Sequence, residues 1–161
     1  MCGAYALLNA VGYVNSLTYG ETRHLFRGLC NEAQVIAPTA LYNGLWFREL
    51  KALSRTVNEW LADENRIRIS LPMQRKYESV EDFAFDLGQR INNDDKCAIL
   101  SLGEPWHHWS VVHRVNKKSF SMLDSANKKL TYLRFERLCV KSTEGKTLIH
   151  PRQTFIFESD A

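Results

Sequence analysis

Three residue types that together perform nucleophilic catalysis are spread along this 161-residue chain: Cys2, His108 and Asp124. A cysteine attacks as its thiolate, an imidazole moves the protons, and a carboxylate fixes the imidazole's orientation and tautomer. Cys2 and Gly3 open a stretch that reads as a helix. Ala4, Leu7, Leu8, Val11 and Val14 fall at i, i+3, i+4, i+7 and i+10, one apolar face of period 3.6. A thiol at a helix start meets free backbone N–H groups and the positive end of the helix dipole, both of which favour the thiolate. The N–H groups of Cys2 and Gly3 are also the nearest candidates to receive an oxyanion.

The elements that must position these residues follow from the same patterning. Thr18 and Glu21 have capping-box spacing ahead of a short helix ending near Leu29-Cys30, and Ala37-Pro38 breaks the pattern. From about Asn43 to Asp63, Trp46, Leu50, Leu53, Val57 and Trp60 alternate spacings of four and three, which predicts one amphipathic helix. Ile67, Ile69 and Leu71 alternate with polar residues as in a half-buried strand. Ser79 with Asp82 opens another helix that turns Val80, Phe83, Leu87 and Ile91 inward. Strands are predicted over 97–102, 108–115 and 119–124, with further candidates at 130–133 and 154–157. A helical part over about 1–65 followed by a sheet part over about 66–161 makes a single α+β domain, with a mainly antiparallel sheet.

Residues 108–115 and 119–124 read as a hairpin around Asn116-Lys117-Lys118. In an antiparallel pair centred on residue 116, His108 stands opposite Asp124. A slip of one residue in that centre leaves the two as diagonal neighbours, about 7–8 Å apart. His108 shares its strand face with Ser110, Val112 and Arg114, whereas His107 and His113 have the other parity. Cys2 reaches His108 only by packing of the helical part against the sheet, with a cleft between the two.

Composition excludes several classes. Apolar content of 45%, charged content of 24% and a net charge of +3 are those of an ordinary globular protein. The basic residues of the last third carry no interleaved aromatic run, so they read as a solvated surface and no nucleic-acid partner is expected. The four cysteines, Cys2, Cys30, Cys97 and Cys139, form no paired spacing for zinc or redox chemistry. Trp106-His107-His108 lacks further ligands at a sensible spacing, so neither a metal nor a cofactor is expected. With one thiol kept free, three remain, which fits a reducing compartment. No apolar run approaches the length of a membrane span and no signal-peptide pattern opens the chain; a cytoplasmic location without membrane partners is expected. Nothing marks an oligomeric state.

The order Cys…His…Asp, Cys2-Gly3 followed by Ala6-Leu7 and Asn9, and His108-Trp109 followed by Val111-Val112 resemble the papain-like cysteine hydrolase superfamily. The likeness is greatest to the small leader-peptidase (double-glycine peptidase) domains of bacteriocin exporters and their stand-alone relatives. The resemblance implies a papain-like fold with Cys2 as nucleophile, His108 as base and acid, and Asp124 as orienter. It also implies a peptide or protein substrate cleaved at an amide or isopeptide bond. Relatives carry a Gln a few residues before the cysteine as an oxyanion donor; here Met1 alone precedes Cys2.

Each residue also has a plainer role. Cys2 could be an inert packed cysteine, His108 a structural strand residue with His107 its rival as base, and Asp124 a turn residue before Ser125. Trp106, His107 and Trp109 are candidates for the cleft wall, Trp109 equally for the core or for a shield over the His–Asp contact that the resemblance implies. The same triad runs glutamine deamidation or acyl transfer. An N-terminal-nucleophile amidohydrolase would require a strand after Cys2, and a non-catalytic peptide- or protein-binding relative would require none of the chemistry.

Overall fold

In the computed structural model, which describes residues 2–39, 44–92, 95–123 and 132–160, the opening stretch is the helix α1 (Cys2–Val14). Of its predicted stripe Ala4, Leu7, Val11 and Val14 are buried together with Ala10, while Leu8 is half-buried. Helix α2 (Tyr19–Ile36) begins with the expected reciprocal cap, in which Thr18 and Glu21 each accept the other's backbone N–H. It runs past Cys30, because Leu25, Leu29 and Ala33 continue the buried stripe at intervals of four. It stops at Ala37, where the following Pro38 disfavours further helix.

The single helix expected from Asn43 to Asp63 is shorter. Helix α3 spans Phe47–Thr56 and tightens into a 3₁₀ turn at Val57–Trp60. Trp46 is its N-cap, with its backbone N–H donated to the Glu49 carboxylate at 2.6 Å. That role turns the Trp46 ring outward, 62% exposed, while Leu50, Leu53 and Val57 are fully buried. Trp60 packs so closely on Gly28 that a Cβ there would lie 2.2 Å from its ring, so α2 must carry glycine at that crossing. Helix α4 (Val80–Ile91) is capped by Ser79 and buries Val80, Phe83, Leu87 and Ile91, as their spacing requires.

Six strands form one antiparallel sheet: β1 (Ile67–Ser70), β2 (Lys96–Leu102), β3 (His108–Val115), β4 (Ser119–Leu123), β5 (Tyr132–Arg134) and β8 (Phe155–Ser159). Their order is β1-β8-β2-β3-β4-β5. A small parallel ribbon, β6 (Leu138–Cys139) with β7 (Thr147–Leu148), was not legible in the sequence, since two-residue strands carry no period. The β3–β4 hairpin also differs in register. Val112 opposes Met122, which centres that stretch on Lys117, with a bulge between Val112 and Arg114. The hydrogen bond from the Asn116 N–H to the Ser119 carbonyl closes a turn on Lys117-Lys118, and this sets the register.

The sheet is covered on both faces, which is why Cys97 to Leu102 reads as a continuous apolar run. On one face Cys97, Ile99, Trp109, Val111, Phe155 and Phe157 pack with α1, α2 and α3. On the other Ala98, Leu100, Leu102, Val112, Phe120, Met122 and Ile156 pack with α4. Helix α1 lies along β3 in the same direction. Tyr13 stacks on His113, their ring centres 5.4 Å apart, while Cys2 meets His108. The lengths agree: Cys2 to Tyr13 rises about 16.5 Å as helix, and His108 to His113 spans about 17 Å as strand. Among the described residues no helix is long and apolar enough to cross a membrane.

Candidate active site

The start of α1 is clamped by apolar neighbours. A Cβ at Gly3 would lie 3.1 Å from the Cδ1 atoms of Leu45 and Leu50 and 3.2 Å from the Leu45 Cβ. Glycine thus lets the segment before α3 close on the helix start. The backbone N–H groups of Cys2 and Gly3, as the first two residues of α1, have no partner within the helix.

The Cys2 sulfur is hydrogen-bonded to the His108 ring and accepts the backbone N–H of Trp109. Strand geometry explains the second contact. Trp109 opposes Ser101, and the Ser101 carbonyl accepts the His150 N–H at 3.1 Å, on the side away from β3. Alternation in an antiparallel ladder then turns the Trp109 N–H away from β2, where the described β3–β4 pairing reaches Val111 and Leu123. The His108 ring meets the sulfur although His108 opposes Leu102, which belongs to the α4-side core.

Burial pushes the Cys2 thiol up, but the hydrogen bond to His108, the Trp109 N–H and the charge of the imidazole together outweigh it. Cys2 therefore titrates below an ordinary thiol. Cys97 is the contrast: its Sγ donates to the Ala10 carbonyl at 3.6 Å, and burial pushes it far up.

The other histidines are elsewhere. His107 is an exposed turn residue in the left-handed region at φ 43, and its charge acts on half-buried His150, whose pKa burial already lowers. His113 is held low by burial and by Arg114, at the Tyr13 end of α1. Trp106 is 43% exposed and borders an open groove of about 940 Å³ lined also by Tyr132, Arg137 and Lys146. Trp109, in contrast, is buried beneath the site: its indole N–H donates to the Leu45 carbonyl at 2.7 Å, and its ring meets Phe155 edge-on. Asp124, and with it the expected His108–Asp124 contact, lies outside the described residues.

Two contributors had no sequence signal. Leu45 sits in an irregular segment without a period, and the Trp109 contribution to the sulfur is a backbone group. Among the described residues no group of three or more His, Cys, Asp or Glu side chains is placed to hold a metal ion. Compared with protein-family models, with curated proteins and with solved structures, the chain matches none.

Proposed function

We propose that this protein is a papain-like cysteine hydrolase that cleaves amide bonds, peptide or isopeptide, through a Cys2 thioester. The observation that carries the reading is the Cys2 sulfur at the head of α1, hydrogen-bonded to His108 and held below the ordinary thiol range. The thiolate attacks the carbonyl carbon, and the oxyanion is received by the free N–H groups of the helix start. The C–N bond breaks as His108 gives its proton to the departing amine. Water then attacks the thioester, His108 takes the water's proton, and the carboxylate leaves with the thiolate restored. Asp124 is proposed as the group that orients the imidazole. The start of a helix at Cys2, and one large sheet among the described residues, speak against the N-terminal-nucleophile architecture.

The test is turnover on a peptide library and on glutamine-containing proteins. Cys2→Ser and His108→Ala should each abolish it with the fold intact, and Asp124→Asn should weaken it less. Release of ammonia without chain cleavage would assign the same site to deamidation. Absence of any Cys2-dependent product on either substrate class would favour a non-catalytic binding module.

A further inference from the structure

We propose that Trp109 is the positioning residue of this site: through its indole N–H it fixes Leu45, Leu45 presses on Gly3, and the head of α1 is thereby held where the Cys2 sulfur meets the His108 ring. The inference rests on the reading of Cys2 as a nucleophile and assigns a role that the triad leaves empty. Two walls must be kept in register, one helical and one from the sheet, and a cysteine on one with a histidine on the other tolerates little drift. A displacement of about 1 Å costs on the order of 10²-fold in rate.

The links are each short and each buried. The indole N–H to Leu45 carbonyl hydrogen bond is 2.7 Å, and Trp109 and Leu45 are 7% and 4% exposed. The Leu45 side chain stands 3.1–3.2 Å from where a Gly3 Cβ would lie, a tight contact. From the same residue the backbone N–H of Trp109 goes to the Cys2 sulfur, and the preceding residue is His108 itself. One strand residue thus touches the nucleophile directly and reaches its helix through Leu45. Phe155 lies edge-on to the indole with ring centres 6.1 Å apart, and Phe47 packs in turn, tilted, against Phe155. The indole is buried, with a ring contact and a hydrogen bond to orient it.

Trp109→Phe keeps an aromatic ring and the backbone N–H but removes the indole donor. The experiment follows the rate of Cys2 carboxamidomethylation against pH, by intact mass, in wild type, Trp109→Phe, Leu45→Ala and the double variant. Phe83→Leu, on the far face of the sheet, serves as a destabilised control. The expected result is a profile displaced upward by about one pH unit in Trp109→Phe, which slows labelling at neutral pH about tenfold. Leu45→Ala should act in the same direction, the double variant should be no worse than the stronger single one, and Phe83→Leu should leave the profile in place. Additive effects of Trp109→Phe and Leu45→Ala would overturn the proposed chain of contacts, as would an unmoved profile in a folded Trp109→Phe. Should Trp109→Phe not fold, Leu45→Ala alone decides, since an unmoved profile there breaks the same chain. An ordinary thiol profile in the wild type would instead overturn the reading of Cys2 as a nucleophile, so the two failures are distinct.

Discussion

The two faces of the central sheet use electrostatics to opposite ends. On the α4 side, Arg75 forks onto Asp82 at 2.7 and 3.1 Å and lies 4.1 Å over the Tyr77 ring. Asp86 accepts the Tyr77 hydroxyl and a hydrogen bond from Arg90. Each charge there meets a fixed opposite charge, and the network ties residues 75–77 to the helix. On the α1 side, the sulfur of Cys2 leans on an imidazole, whose proton can leave, and on a single backbone N–H. A closed set of charges holds structure, whereas a thiolate balanced by a mobile proton is available for chemistry.

The largest effects expected from this contrast are functional. Cys2→Ser or His108→Ala should cut turnover by about 10⁴-fold or more while shifting the unfolding midpoint little, and because the two act as a unit, the double variant should be no worse than either. Phe83→Ala on the other face should do the reverse. It removes a fully buried ring that meets Tyr77 and Phe120, costs about 3–5 kcal/mol in chemical denaturation, and leaves the activity per folded molecule unchanged. If Phe83→Ala altered the rate of the folded fraction as much as its stability, the two faces would not be independent.

A smaller effect, with a pH signature, is expected from the α4-side network. Burial and then the hydrogen bond to Asp86 push Tyr77 up to about 12. Burial raises Asp86, but the Tyr77 hydroxyl and the flanking arginines bring it below the usual carboxylate range. A raised phenol stabilises the fold below its unfolded value near 10, and that contribution is lost as pH rises through about 12. A depressed carboxylate stabilises above its unfolded value, and its contribution is lost as pH falls through the lower folded value. Tyr77→Phe should therefore cost about 1.5 kcal/mol between pH 5 and 9 in urea unfolding. The difference from wild type should shrink toward either extreme. A pH-independent difference would mean that the hydroxyl contributes packing alone.

Much of this arrangement was legible because burial is periodic. The stripe of α1, the Thr18–Glu21 cap, the Ser79 cap with its four buried residues, and the strands around Cys97, His108 and Ser119 follow from spacing and side-chain type. The meeting of Cys2 with His108 does not follow from strand parity, which groups His108 with residues of the α4-side core. What escaped has a common cause: it depends on contacts between distant segments rather than on local pattern. The outward turn of Trp46 follows from its role as a cap, the extension of α2 from packing of Ala33, and the Lys117 centring from the turn and a bulge. The same holds for the site's support. Spacing left Trp109 open between the core, a cleft wall and a shield, and its burial with the hydrogen bond to Leu45 places it in the core.

The most direct test of the central claim, that Cys2 and His108 form a reactive pair, is the pH dependence of Cys2 alkylation in wild type and in His108→Ala. In the wild type the rate should rise with a midpoint clearly below that of a free thiol, about 8.5. Cys97 should stay unlabelled while the protein is folded, because burial keeps its thiol protonated. In His108→Ala the midpoint should move up, since the largest contribution that opposes burial is then gone. A wild-type midpoint at or above about 8.5, unchanged by His108→Ala, would contradict the account.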